Sequence, residues 1–214
     1  MPSNRPIDTF TKQALHILET EYVVLGSERV RSSDAWVIIT FLAGFVVAGA
    51  MLASRSGTFE SASAATTIYQ ASTGFSSTQG ANGWSYRDSS GANLTYYTNH
   101  VECSGEPCWH GSEPYLLLKP YGGHPGTTKD SVRRWTSPGT GSVRITGNVH
   151  DTGGVCSSDG IVATIKNGST VLWQQTITDG DTVGKNFDLT STVSSGSTID
   201  FQLNRLSINR PVAI

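Results

Sequence analysis

A surplus of positive charge is missing from this chain. Its 214 residues carry 15 Lys and Arg against 17 Asp and Glu, a formal net charge of −2. Nothing is left over to neutralise a phosphate backbone, so nucleic acid is not an expected partner. Cysteine is scarce, with three residues in all. Cys103 and Cys108 stand in a C-x4-C arrangement with no second ligand pair, which is a poor zinc site. The chain also has no G-x-x-x-x-G-K-[ST] loop, no G-x-G-x-x-G, no H-E-x-x-H and no G-x-S-x-G elbow. Phosphate-cradling, zinc-hydrolytic and serine-nucleophile chemistry therefore have no signature here. Long hydrophobic runs are absent too, with one exception.

That exception is "DAWVIITFLAGFVVAGAMLASR", residues 34–55, with no charge between Asp34 and Arg55. From Ala35 to Ala53 there are 19 residues, or roughly 28 Å of helix at about 1.5 Å per residue. This nearly matches a hydrocarbon core of about 30 Å. A secretory apolar core is shorter and follows a short basic segment. Here 34 residues precede it, with five acids against four bases. The run reads as a retained membrane span over 35–54. Trp36 suits an interfacial position. Gly44 and Gly49 would let a neighbouring helix approach closely.

The first 34 residues form their own segment. Phe10, Ala14, Leu18, Tyr22 and Leu25 recur at three- to four-residue spacing, and Gly26 follows as a stop. That pattern predicts an amphipathic helix with Asp8 or Thr9 as its cap. Its polar face offers Lys12, Glu19 and Glu21, so attraction to anionic lipid is weak and contact with protein is favoured.

After the span the composition changes. Residues 55–214 hold 20 of the 23 glycines, and the apolar period becomes two. Val143, Ile145 and Val149 alternate with polar residues in "SVRITGNVH". "GIVATIKNGSTVLWQQTI" reads as two strands around Asn167-Gly168, a hairpin signal because type I′ turns need positive φ at both central residues. Val171, Trp173, Gln175 and Ile177 would share one face of its second strand. Asp179-Gly180 supplies another turn. Phe187 with Leu189, and Ile199 with Phe201 and Leu203, continue the alternation. Shorter strands are expected near 66–71, 84–87 and 94–98. Such spacing predicts an antiparallel β-sandwich over 55–214.

Cysteine placement bears on the compartment. Cys103 and Cys108 bracket the turn-rich "SGEP" and could close a small disulfide loop, which would persist outside the cytoplasm; two free thiols are the other reading. Arg29 and Arg31 before the span against Arg55 after it favour a cytoplasmic N-terminus. The expected arrangement is single-pass, with residues 1–34 in the cytoplasm and the C-terminal domain extracytoplasmic.

The stretches "FSSTQGANGWSYRD" (75–88), "HPG" (124–126), "VRRWTSPGTGSVRITGNVHD" (132–151) and "GIVATIKNGSTVLWQQTITDGDTVGKNFDLTSTVSSGSTIDFQLN" (160–204) resemble bacterial extracytoplasmic jelly-roll modules, similar to carbohydrate-binding modules. The resemblance implies a two-sheet jelly-roll sandwich. It does not by itself imply a sugar ligand.

Candidate chemistry is sparse. Glu102, Glu106 and Glu113 share a loop-rich stretch, but nothing in their spacing pairs them across a cleft as glycoside hydrolysis needs. Asp151 and Asp159 read as turn caps, with calcium ligation the other possibility. His100, His110, His124 and His150 lack metal-ligand spacing, so no metal and no cofactor are expected. Trp84 and Trp135 read as core. Trp109 and Tyr121 are the candidates for an exposed ligand contact. The sequence thus reads as a non-catalytic subunit of a larger membrane assembly, such as a photosynthetic or respiratory complex or a membrane-containing virus particle. Its partners would be other membrane subunits, reached through the N-terminal residues, and the bilayer. The alternative is a membrane-tethered carbohydrate-binding or adhesion module.

Overall fold

The computed structural model describes residues 15–26, 67–152 and 160–206. It is mainly β, with two antiparallel sheets packed face to face. The smaller sheet has five strands in the order β11-β10-β13-β8-β3. These are β3 (Trp84–Asp88), β8 (Ser131–Thr136), β10 (Ile161–Asn167), β11 (Thr170–Ile177) and β13 (Thr198–Arg205). The larger runs β12-β9-β1-β7-β6-β5-β4, with β2 paired to β1. Its strands are β1 (Leu15–Gly26), β2 (Thr67–Gln70), β4 (Thr95–Tyr97), β5 (Cys108–His110), β6 (Leu117–Lys119), β7 (Gly122–His124), β9 (Gly141–Asp151) and β12 (Lys185–Val193).

Alternation decides which residues meet between the sheets. In the five-stranded sheet the register sets Trp84 beside Trp135, Ile199 beside Trp135, and Ile165 beside Phe201. All five are buried. In the larger sheet Val143, Ile145 and Val149 of β9 and Phe187 and Val193 of β12 are buried opposite them. Phe187 reaches Phe201 across the interior, ring centroids 6.5 Å apart, and packs on Trp173 at 5.4 Å. A side chain at position 147 would collide with the Phe187 ring, because a Cβ there would lie 2.4 Å from its Cζ. Arg133 shares this inner face and is fully buried; its guanidinium donates to the Lys119 carbonyl. On the opposite face, in-register Arg134 and Asp200 form a two-bond pair at 2.6 and 2.7 Å, the stronger geometry for such pairs.

Three sequence expectations change. Leu15–Gly26 is a strand, not part of an amphipathic helix. The helical stripe left out Ile17, Thr20, Val23 and Val24, residues that favour extended backbone. Leu18, Tyr22 and Leu25 therefore lie on β1, which pairs with β9 through Leu15↔Asp151 and Leu25↔Val143. The hairpin turn is centred on Gly168-Ser169, since Asn167 pairs with Thr170. Gly168 has φ 57° and Asn167 does not have positive φ, so glycine takes the first central position, as in a type II′ turn. Asn167 instead bonds sideways to the Ser191 hydroxyl and the Thr192 carbonyl, both at 2.9 Å. Third, a bulge between Ile165 and Lys166 of β10 and the facing strand makes Val171 oppose Lys166 while Trp173 opposes Ile165. The extra residue, Leu172, moves Val171 off the Trp173 face, and Val171 is 49% exposed.

Among the described residues no helix is long and apolar enough to cross a membrane. The apolar run Ala35–Ala53 lies outside the described residues, as do Phe10, Ala14, Trp36, Gly44 and Gly49.

Candidate functional site

The aromatics of the first half turn inward. Trp109, expected at the surface, is 4% exposed. It lies on β5, between the stacked ring of Tyr86 (5.1 Å, 14°) and the edge-on ring of Tyr96 (5.4 Å). Its indole N–H donates to the Ser76 carbonyl at 3.0 Å, so the ring's one polar atom is satisfied despite burial. Phe75 closes the group against Tyr86 at 5.1 Å. Trp84 and Trp135 are core residues, each fully buried. Tyr121 is on the surface, half exposed, and Tyr97 is also exposed.

The carboxylates serve loops. Glu113 accepts from the Thr128 hydroxyl, from the Thr128 amide at 2.8 Å, from the Lys129 amide at 3.2 Å and from the Thr127 hydroxyl at 3.2 Å. These donors, the Thr128 hydroxyl first, hold its carboxyl down to about 2. Asp151 is buried and accepts from the Gly180 amide at 2.9 Å, bracing the turn expected at Asp179-Gly180. Asp159 and Cys156 lie outside the described residues. Glu106 bonds Lys119 at 2.9 Å near the surface.

One polar cluster has more chemistry in it than the sequence spacing reveals. Cys103 and Cys108 are joined in a disulfide, Cα atoms 6.3 Å apart. Cys103 ends a short 3-10 turn, Val101–Cys103, and Cys108 begins β5. The bridge therefore fixes the turn that carries Glu102 against the strand that carries His110. Glu102 Oε2 lies 2.6 Å from His110 Nε2 and also accepts the Tyr115 amide at 2.7 Å. Burial works against its charge, but the Tyr115 amide and the His110 ring more than offset that and hold the carboxyl below its ordinary range. His110 Nδ1 lies 2.7 Å from the Gly111 carbonyl. His100 precedes the turn, its ring 4.2 Å from that of His110, and its Nδ1 accepts the Glu102 amide at 3.3 Å. One ligand-capable atom from each of His100, Glu102 and His110 falls within 4.8 Å of the others.

Sequence reasoning treated these three residues separately. The H-x-E…H spacing is not a helical or ribbon ligand pattern, and the disulfide and β5 bring it together. The available signal was the placement of His100, Glu102 and His110 on either side of a short cysteine loop. Comparison with protein-family models, with curated proteins and with solved structures finds no match to this chain.

Proposed function

We propose that the chain is a non-catalytic accessory subunit of a larger membrane assembly, its sandwich, of jelly-roll type, covering the extracytoplasmic face. The assembly would be of the kind formed by photosynthetic or respiratory complexes or by membrane-containing virus particles. The observation that carries this reading is the uncharged run from Ala35 to Ala53, whose length suits one passage through a bilayer. Its partners are other membrane subunits and the lipid around them. The carboxylates support a non-catalytic role, since Glu113 and Asp151 are committed to bracing loops.

The second reading, a membrane-tethered carbohydrate-binding or adhesion module, rests on exposed Tyr121 and Tyr97. It is weakened because Trp84, Trp109 and Trp135 are consumed by the core. Stacking on a sugar ring needs an open aromatic face.

The orientation has a structural consequence. A single passage puts residues 15–26 and the sandwich on opposite sides of the bilayer, whereas the pairing of β1 with β9 and β2 puts them in one sheet. An inserted chain can satisfy only one of these, so in the inserted form proposed here β1 is released from the sheet. Protease added to spheroplasts should remove residues 56–214 and leave an N-terminal epitope protected. Protection of the sandwich until lysis, or loss of the epitope together with it, would overturn the orientation.

A further inference from the structure

We propose that His100, Glu102 and His110 form a binding site for one borderline divalent transition-metal ion of the zinc class. The donor set is two imidazoles and a carboxylate, which suits zinc and its neighbours. Three features of the cluster argue for this beyond the proximity of the side chains.

The first is the state of His110. Both of its ring nitrogens face acceptor oxygens, Gly111 O at 2.7 Å and Glu102 Oε2 at 2.6 Å. A neutral imidazole has one N–H and satisfies one of them. With the proton on Nδ1, bonded to the Gly111 carbonyl, Nε2 offers its lone pair toward the carboxylate. A second proton on Nε2 or a shared metal cation removes that conflict, and the metal is the alternative that also engages His100. A metal-ligating histidine commonly donates its other N–H to a backbone carbonyl in this way, which fixes both tautomer and ring orientation.

The second is the carboxylate. The Tyr115 amide holds Glu102 Oε2 at 2.7 Å, so the oxygen is positioned before any ion arrives. The third is the frame. The Cys103–Cys108 disulfide joins the two backbone segments that supply Glu102 and His110, so little ordering remains to be done on binding. The His110 and Glu102 side chains are 10% and 24% exposed, so the cluster lies close beneath the surface.

The present spacing is close to a closed set. Tetrahedral ligands at zinc distances lie about 3.4 Å apart. Binding therefore requires the 2.6 Å Glu102–His110 pair to open by roughly 0.8 Å and the outermost member, which lies within 4.8 Å of the others, to move inward by up to roughly 1.4 Å. His100 is the one able to do so. It is half-buried, and its only bond within the cluster, the 3.3 Å contact from the Glu102 amide, is the longest there. Turning its ring brings a nitrogen lone pair to the ion. Three protein ligands leave the fourth position to water or to a group from a partner. Bound metal would act as a second staple beside the disulfide, tying the 3-10 turn to β5.

The test uses the purified full chain in detergent, stripped with a chelator, with its disulfide intact. Zn²⁺ competition against a chromophoric chelator should give one site per chain with a micromolar or tighter Kd. Co²⁺ should give visible d–d absorption that Zn²⁺ abolishes. Glu102→Gln and His110→Gln should each weaken binding at least tenfold. Histidine NMR of the unmutated chain keeps the outcome independent of how the variants fold. Of the five histidines, Zn²⁺ should shift His100 and His110 and leave the other three. The proposal is overturned by absence of stoichiometric binding, by shifts at other histidines only, or by folded variants that bind as well as the parent. The first of these results would make the cluster an ion pair only.

Discussion

Trp109 shows how one residue can decide between two readings of a surface. A tryptophan beside Pro107 and a cysteine loop has the composition of an exposed contact, and its burial follows from partners distant in sequence. Tyr86 comes from the opposite sheet, and the Ser76 carbonyl that accepts the indole N–H lies 33 residues earlier. Aromatic pairs of this geometry contribute about 0.5–1.5 kcal/mol beyond the area they bury. Trp109→Ala should lose that contribution and leave a cavity, lowering unfolding stability by about 3–5 kcal/mol. Chemical denaturation followed by intrinsic fluorescence of the remaining tryptophans measures it. A loss below about 1 kcal/mol, within the range of surface substitutions, would show that the ring is not packed as described. Alternation alone could place Phe187 and Phe201, because each sits on a strand whose apolar residues recur with a period of two. Trp84 and Trp135 read as core from the motifs that resemble jelly-roll modules, and the strand of Trp135 puts Arg133 on the same face. Alternation could not place Trp109, whose strand is three residues long and offers no period to read.

At the scale of elements, turns and bulges account for where sequence reading succeeds and where it shifts. Short strands were legible near 66–71, 84–87 and 94–98, and they occur at Thr67–Gln70, Trp84–Asp88 and Thr95–Tyr97. The Asn167-Gly168 signal located its hairpin within one residue, but the turn shifted because Asn167 has bonding partners on β12. The Leu172 bulge has no local sequence mark, and it inverts the facing of Val171 relative to Trp173. The helix expected over the N-terminal residues relied on a stripe that ignored the β-branched residues beside it. The disulfide loop is an element of the same kind, a local device with a longer reach. In a chain-entropy account, closing so short a loop contributes about 2 kcal/mol. Replacing both Cys103 and Cys108 with Ser should therefore cost about that amount in stability. Amide exchange should rise first around residues 100–110 and at Tyr115, whose amide bonds Glu102. Exchange that rises uniformly across both sheets would mean that the bridge supports the whole fold and not the turn.

At the scale of the whole molecule, the question is whether residues 15–26 belong with the sandwich or with the anchor. In the structure β1 lies between β9 and β7 and also pairs with β2. A strand in that position supplies backbone hydrogen bonds to its neighbours, and removing it would expose their unpaired edges. The membrane reading requires the opposite: the alternating pattern after the span must suffice for folding, and the N-terminal 55 residues must do the attaching. A fragment of residues 56–214 separates these two roles. If the anchor reading is right, the fragment folds with cooperative unfolding and dispersed amide resonances. It should then bind the parent assembly weakly or not at all, while residues 1–55 still co-purify with it. Leu18→Asp with Tyr22→Asp should weaken that co-purification, because a charge in an apolar contact costs several kcal/mol unless it reaches water. If the fragment is unfolded or aggregates through β9 and β7, β1 is an integral strand, and a single passage at 35–53 cannot be the topology of the folded chain. If the fragment folds and binds as tightly as the full chain, recognition lies in the sandwich, and the tethered-module reading replaces the accessory-subunit one.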